Sequence, residues 1–181
     1  MKVLIVFESM FGNTESLARD VMAGLADGGA DVVLADVASA PGPELLGCDL
    51  LVLAAPTHAL TMSRPESRAE AVSKGADPAH AATGLREWLA ALDTAPPPTA
   101  PRPAVAVFDT RVIKARHWPG SAARSVARNL KKSGFAVMDR TSFYVEDIAG
   151  PVSAGEPERA REWGRGLAAL VQPGAPSNGV G

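Results

Sequence analysis

The chain has 181 residues, 46% of them apolar and 21% charged, with a net charge of −2. Such a chain can bury a sizeable core in one soluble domain, and it lacks the charge excess that drives binding to nucleic acid or an anionic membrane surface. Cys48 is the only cysteine, which excludes an internal disulfide and a cysteine metal cage. No apolar stretch is long enough for a bilayer and the N-terminus has no cleavage signature, so a cytoplasmic protein is expected.

The first element is "KVLIVFE" (2–8), a near-continuous β-branched and aromatic run that predicts a strand buried on both faces. Leu17, Val21 and Leu25 then recur at helical spacing, with Ala18 and Met22 alongside, and "DGG" at 27–29 stops the helix. Either Ser9 or Asn13 can cap its start. "DVVLADV" (31–37) is a second strand, "APGPELL" a loop with a short helical turn, and "DLLVLAA" (49–55) a third strand. A polar segment over 61–83 holds Arg64, Arg68 and Lys74 and reads as a mobile solvated loop, a lid or a partner contact.

"GLREWLAAL" (84–92) is helical, with Leu85, Trp88, Leu89 and Leu92 on one face. "TAPPPTAPRP" (94–103) is a stiff connection, and "AVAVFDT" (104–110) a fourth strand. "GSAARSVARNLKKSG" (120–134) is a helix whose cations gather at its C-terminal end, as the helix dipole favours. A broken fifth strand lies in 135–146, and the last helix covers 156–171, with Pro157 in its first turn. Strands alternating with helices predict a doubly wound, five-stranded parallel sheet with helices on both faces, one domain over 1–172, and a disordered tail over 173–181. Ligands of such sheets bind beyond the carboxyl ends of the strands, which directs attention to the loops after residues 8, 55 and 109.

The first of these loops reads "ESMFGNTES" (8–16), and no Lys or Arg occurs between Lys2 and Arg19. Gly12 permits a tight turn, the helix start supplies free amides, and Ser9, Asn13 and Thr14 add neutral donors. This is a cradle for an anion without a counter-cation, or else a capped turn. Gly-Lys-Ser/Thr and G-x-G-x-x-G are both absent, so neither a nucleoside triphosphate loop nor a dinucleotide fingerprint is present.

In this loop the chain resembles the flavodoxin family, whose phosphate loop reads Ser/Thr-x-Ser/Thr-Gly-x-Thr and binds FMN. Ser9, Gly12, Asn13 and Thr14 match, while Phe11 stands where a hydroxyl is usual. An aromatic there is similar to the Ser-x-Tyr/Trp-Gly-x-Thr form of flavodoxin-like quinone reductases and of the flavodoxin domain of flavodiiron proteins. The resemblance covers about residues 1–171 and implies strand order 2-1-3-4-5.

It also implies that Ser9, Met10, Phe11, Gly12, Asn13 and Thr14 hold the FMN phosphate. Pro56, Thr57, His58 and Ala59 would flank the ring, and Asp109, Thr110 and Arg111 would close over it. His58 stands where the family commonly has Trp or Tyr. Asp109 either orients a backbone amide or bonds the ring edge; Arg111 either offsets negative charge on reduced flavin or points into water.

Among the remaining residues, Trp88 and Trp163 read as core, Tyr144 as structural, and Glu146 and Asp147 as a solvated turn. Trp118 follows the third loop, within reach of a ring there. His80 and His117 share no metal-ligand spacing. A low-molecular-weight tyrosine phosphatase needs Arg six positions after its Cys, where this chain has Ala54. A response-regulator receiver needs an aspartate where this chain has Ala54 and Ala55.

With no acid–base constellation in view, a bound cofactor would do the chemistry. The leading expectation is an FMN-binding carrier of electrons between partner proteins or small acceptors. An FMN-dependent NAD(P)H:quinone-type reductase and a flavin-free binding module are the alternatives.

Overall fold

The computed structural model describes residues 1–42, 47–94 and 102–171. Its elements, in chain order, are β1 (Lys2–Phe7), α1 (Asn13–Asp27), β2 (Asp31–Asp36), β3 (Leu50–Pro56), α2 (Pro65–Ser73), α3 (Leu85–Thr94), β4 (Ala104–Val112), α4 (Ala122–Lys132), β5 (Val137–Val145) and α5 (Glu156–Val171). The five strands form one sheet in the order β2-β1-β3-β4-β5, every pair parallel. The tail over 173–181, most of 94–103 and the end of "APGPELL" lie outside the described residues.

The alternation of β1 shows how the core divides. Val3, Ile5 and Phe7 face the buried surfaces of α1 and α5, including Leu17, Val21, Leu25, Ala160 and Leu167. Leu4 and Val6 face α3 and α4, where Leu85, Trp88, Leu89, Val126 and Leu130 meet them. Trp163 packs edge-to-face on Phe108 and Phe143 while its indole N–H donates to Asp139 at 2.7 Å, so both tryptophans expected in the core lie there.

Three sequence expectations need correction. The fifth strand is continuous over Val137–Val145, its only irregularity a register shift opposite Val105 and Ala106. β4 runs on to Val112, so Asp109, Thr110 and Arg111 belong to a strand end and not to the loop after it. The 61–83 segment is folded: α2 occupies Pro65–Ser73, a 3-10 turn follows at Pro78–His80, and Arg68 is 1% exposed. An arginine in a polar stretch reads as solvated, yet here it faces inward together with Ala71. Because β1 lies between β2 and β3, strand order reverses there, and the loops after β1 and β3 diverge at that point to leave a crevice. No described helix is long and apolar enough to cross a membrane.

Candidate functional site

The first loop enters α1 through Gly12, whose φ of +83° only glycine adopts without strain. The buried Ser9 hydroxyl accepts the Glu15 amide at 3.3 Å, so Ser9 caps the helix from outside its first turn. Ser16 donates to the Gly12 carbonyl. Among the described residues, the amides of Met10, Phe11, Gly12, Asn13 and Thr14 have no protein acceptor. The Thr14 and Thr110 hydroxyls lie 2.8 Å apart and buried. One of their two protons makes that mutual bond, which leaves the other to donate outward.

The head of α4, at the same end of the sheet, is built differently. The Ala122 amide donates to the Thr57 hydroxyl at 2.9 Å, Ala123 to the Asp109 carboxylate at 2.8 Å, and Arg124 to the Ser121 hydroxyl at 3.2 Å. Side chains therefore satisfy all three leading amides of α4, whereas α1 leaves its first two open. Of the two roles the sequence left for Asp109, the structure gives it the amide-orienting one; it is fully buried and absent from the cavity wall.

After β3, the stretch Thr57–Thr61 doubles back. His58 and Thr61 exchange both backbone bonds, at 2.9 and 3.0 Å, around Ala59 and Leu60. Those two residues have φ of +45° and +65°, the left-handed pair of a type I′ turn. Side chains with a Cβ resist that conformation at roughly 1–2 kcal/mol each. Ala59→Asn combined with Leu60→Gly is expected to raise stability by about 1–2 kcal/mol, read as a higher urea midpoint at unchanged m-value.

Beyond the hairpin, α2 forms a wall of the site through Ser67, Glu70, Ala71 and Lys74. Met10 and Ala71 pack together, tying the helix to the first loop. Beneath it, Arg68 donates to the Ala81 carbonyl at 2.9 Å and the Ser63 hydroxyl at 3.0 Å, and lies 3.2 Å from the Glu87 carboxylate. Glu8, at the end of β1 and 1% exposed, accepts the Leu85 amide at 2.8 Å. Burial pushes the Glu8 carboxyl above its ordinary range, against the pull of Ser63, Leu85 and Arg68. Burial, helped by the Arg68 charge, holds His58 below the usual imidazole range, so it is neutral at neutral pH.

These elements enclose a cavity of about 460 Å³, within the range of small-molecule sites. Every residue singled out from the three loops lines it except Gly12 and Asp109. The wall is mostly apolar, and two large apolar side chains at its mouth face solvent, Trp118 at 60% exposure and Ile148 at 53%. Arg111 does not point into water. It is 8% exposed, and its guanidinium donates to the Ala115 and Trp118 carbonyls. Asn13 lies against Gly150, where an added Cβ would come within 2.6 Å of its side-chain oxygen.

The sequence offered the 61–83 segment as a lid but singled out neither its helix nor the wall residues Ser67, Glu70, Ala71 and Lys74 as site residues, nor Lys114. A helix signal was present in "RPESRAEAVSKG": Pro65 at the first helical position, Glu66 in the first turn and Lys74-Gly75 at the end. Among the described residues, no group of His, Cys, Asp and Glu could hold a metal ion.

No protein-family model and no curated protein matches the sequence. Solved structures do match its fold. A flavodoxin from the domain Archaea is 18% identical, with 96% of this chain and 100% of that one covered and a TM-score of 0.64. Flavodoxin 1 from Bacillus cereus is 16% identical over the same shares, also at a TM-score of 0.64. The flavodiiron protein from Giardia intestinalis is 18% identical, with 94% of this chain and 36% of that one covered and a TM-score of 0.54. The chain has the flavodoxin-like fold, in the strand order expected.

Proposed function

We propose that this flavodoxin-like chain binds FMN and carries electrons between redox partners. The contrast between the two helix heads carries the reading. α4 has its leading amides closed by Thr57, Asp109 and Ser121, while the amides from Met10 to Thr14 have no protein acceptor beside a largely apolar cavity. Free amides at a helix start point their N–H groups at a common site, and a phosphate group there satisfies several at once.

In this reading the first loop and the spare proton of the Thr14–Thr110 pair hold the phosphate without a cation. The His58–Thr61 hairpin, Thr110, Arg111 and Trp118 surround the ring. The bound flavin supplies the electron chemistry. The chain positions it and leaves one edge of the cavity open to a partner.

The test is FMN uptake by the purified protein, followed by quenching of flavin fluorescence. Tight one-to-one uptake is expected, with visible bands that bleach on adding dithionite. Thr14→Val is expected to weaken FMN binding roughly tenfold, the low end of a bond to a charged acceptor because Thr110 keeps its own hydroxyl. A protein that ignores added FMN sinks the reading; equal affinity in the variant makes the first loop only a turn.

A second reading, an FMN-dependent reductase of small quinone-type acceptors, is favoured by the exposed apolar pair Trp118 and Ile148 at the cavity mouth. Flat aromatic acceptors gain from such a surface. Steady-state quinone reduction by NAD(P)H separates it from the carrier, which turns over only with a partner reductase.

A further inference from the structure

We propose that Arg111 gives the cavity a preference for a negatively charged ring, and so makes the bound flavin easier to reduce. The inference rests on the FMN reading. Arg111 forms part of the cavity wall at the end of β4. It makes no ion pair among the described residues. Its guanidinium donates only to the Ala115 and Trp118 carbonyls, and its Nε is buried without a partner. A guanidinium stays protonated in any protein environment, so this charge is permanent.

Asp109 lies two residues earlier on the same strand, with one oxygen on the Ala123 amide. Asp109 is also fully buried, with its other oxygen lacking a partner, and what sets Arg111 apart is its place on the cavity wall. Lys74 is paired with Glu70 at 2.6 Å, Lys114 adds a second cation to the wall, and His58 is neutral. Glu146 and Asp147, after β5, are exposed to water, which screens them. A buried charge is screened far less.

On reduction the ring takes two electrons and one proton, the electrons coming from the donor (the electrode in the test) and the proton from water. It ends with one negative charge more than it began. Arg111 therefore favours the product of that step over the starting state and also opposes uptake of a further proton by the reduced ring.

The test uses the full chain loaded with FMN. Midpoint potentials are measured by spectroelectrochemistry for the wild type, Arg111→Gln and Arg111→Lys, alongside FMN affinities. The Gln variant is expected to lose roughly tenfold in its preference for the reduced over the oxidised ring, a fall of about 30 mV for a two-electron couple. The Lys variant is expected to stay near the wild type.

A second measurement needs no variant. The potential of the wild type should change slope with pH, from two protons to one per two electrons, at a lower pH than free FMN does. A Gln variant with bound FMN and an unchanged potential overturns the proposal, as does a Lys variant that falls as far as Gln. A wild-type slope change at or above that of free FMN also overturns it, and that reading decides if the Gln variant fails to fold or to bind. Failure of the wild type to take up FMN is seen before any potential is measured. It marks failure of the cofactor reading, and the proposal falls with it.

Discussion

Arg68→Ala is expected to destabilise the protein by about 3 kcal/mol, the scale for removing one partner from a buried charge cluster. Arg68 connects α2 to Ser63, to the Ala81 carbonyl and to Glu87 in α3, with Glu8 close by. Its loss leaves the Glu8 carboxyl buried with no compensating cation.

The effect should grow with pH. Glu8 is already raised by burial, so its folded state loses stability as pH rises through the carboxylate range, and without Arg68 that loss deepens. Glu87 works in the same direction. Burial raises its carboxyl, but the hydrogen bond and charge of Arg68 prevail and lower it, a stabilisation present above the ordinary pKa and lost on acidification. Removing Arg68 removes that as well. Urea unfolding of both proteins should give a wider gap at pH 8 than at pH 4. A gap that ignores pH would mean that Arg68 acts by packing alone. Glu8→Gln combined with Arg68→Met, which removes both buried charges and keeps most of the volume, should recover a large part of the lost stability.

Gly164→Val is the second large effect, expected at about 3 kcal/mol or more and a fall in Tm of roughly 6–12 °C. α1 and α5 cross where glycines face each other. A Cβ on Gly164 would sit 2.3 Å from the Val21 carbonyl oxygen, and one on Gly24 would sit 1.9 Å from that of Arg161. Backbone atoms cannot swing aside as a long side chain does, so the helices must separate and the α1–α5 side of the core must open. Asp27 adds a polar tie across the same crossing, bonded to Arg161 and Arg165 and lowered by them to about 2. Gly166→Ala is the control. That glycine is exposed, an added Cβ meets nothing, and helix propensity should raise stability by about 0.5–1 kcal/mol. Thermal unfolding of the two variants side by side decides whether the crossing is as tight as its geometry.

Strong periodicity explains why the sheet was legible. Runs such as "KVLIVF" and "LLVLAA" bury both faces, and Leu17, Val21 and Leu25 leave a clear helical stripe. The loops at the switch point could therefore be placed before any coordinates, and most of their residues do surround one cavity. α2 escaped because its buried face is Arg68 with Ala71, which gives almost no apolar stripe to follow. The capping role of Thr57 and the identity of the amide that Asp109 orients escaped for another reason. Each residue caps a helix that begins more than ten residues later in the chain, and local pattern carries no trace of a partner so far away. Arg111 was ambiguous because a strand residue at a sheet end can face either water or a cavity, and only the fold of the 113–118 segment over it settles which.

The meeting of Gly24 with Arg161 and of Gly164 with Val21 joins the first described helix, α1, to the last, α5. During synthesis the ribosome releases α1 long before α5 exists. Until residues 156–171 emerge, the apolar side of α1 has only the sheet to cover it, and the Gly24 groove stays open to solvent. Nascent chains halted before that point should be held by chaperones and cut readily by protease, and resistance should arrive late, in one step, with the final helix.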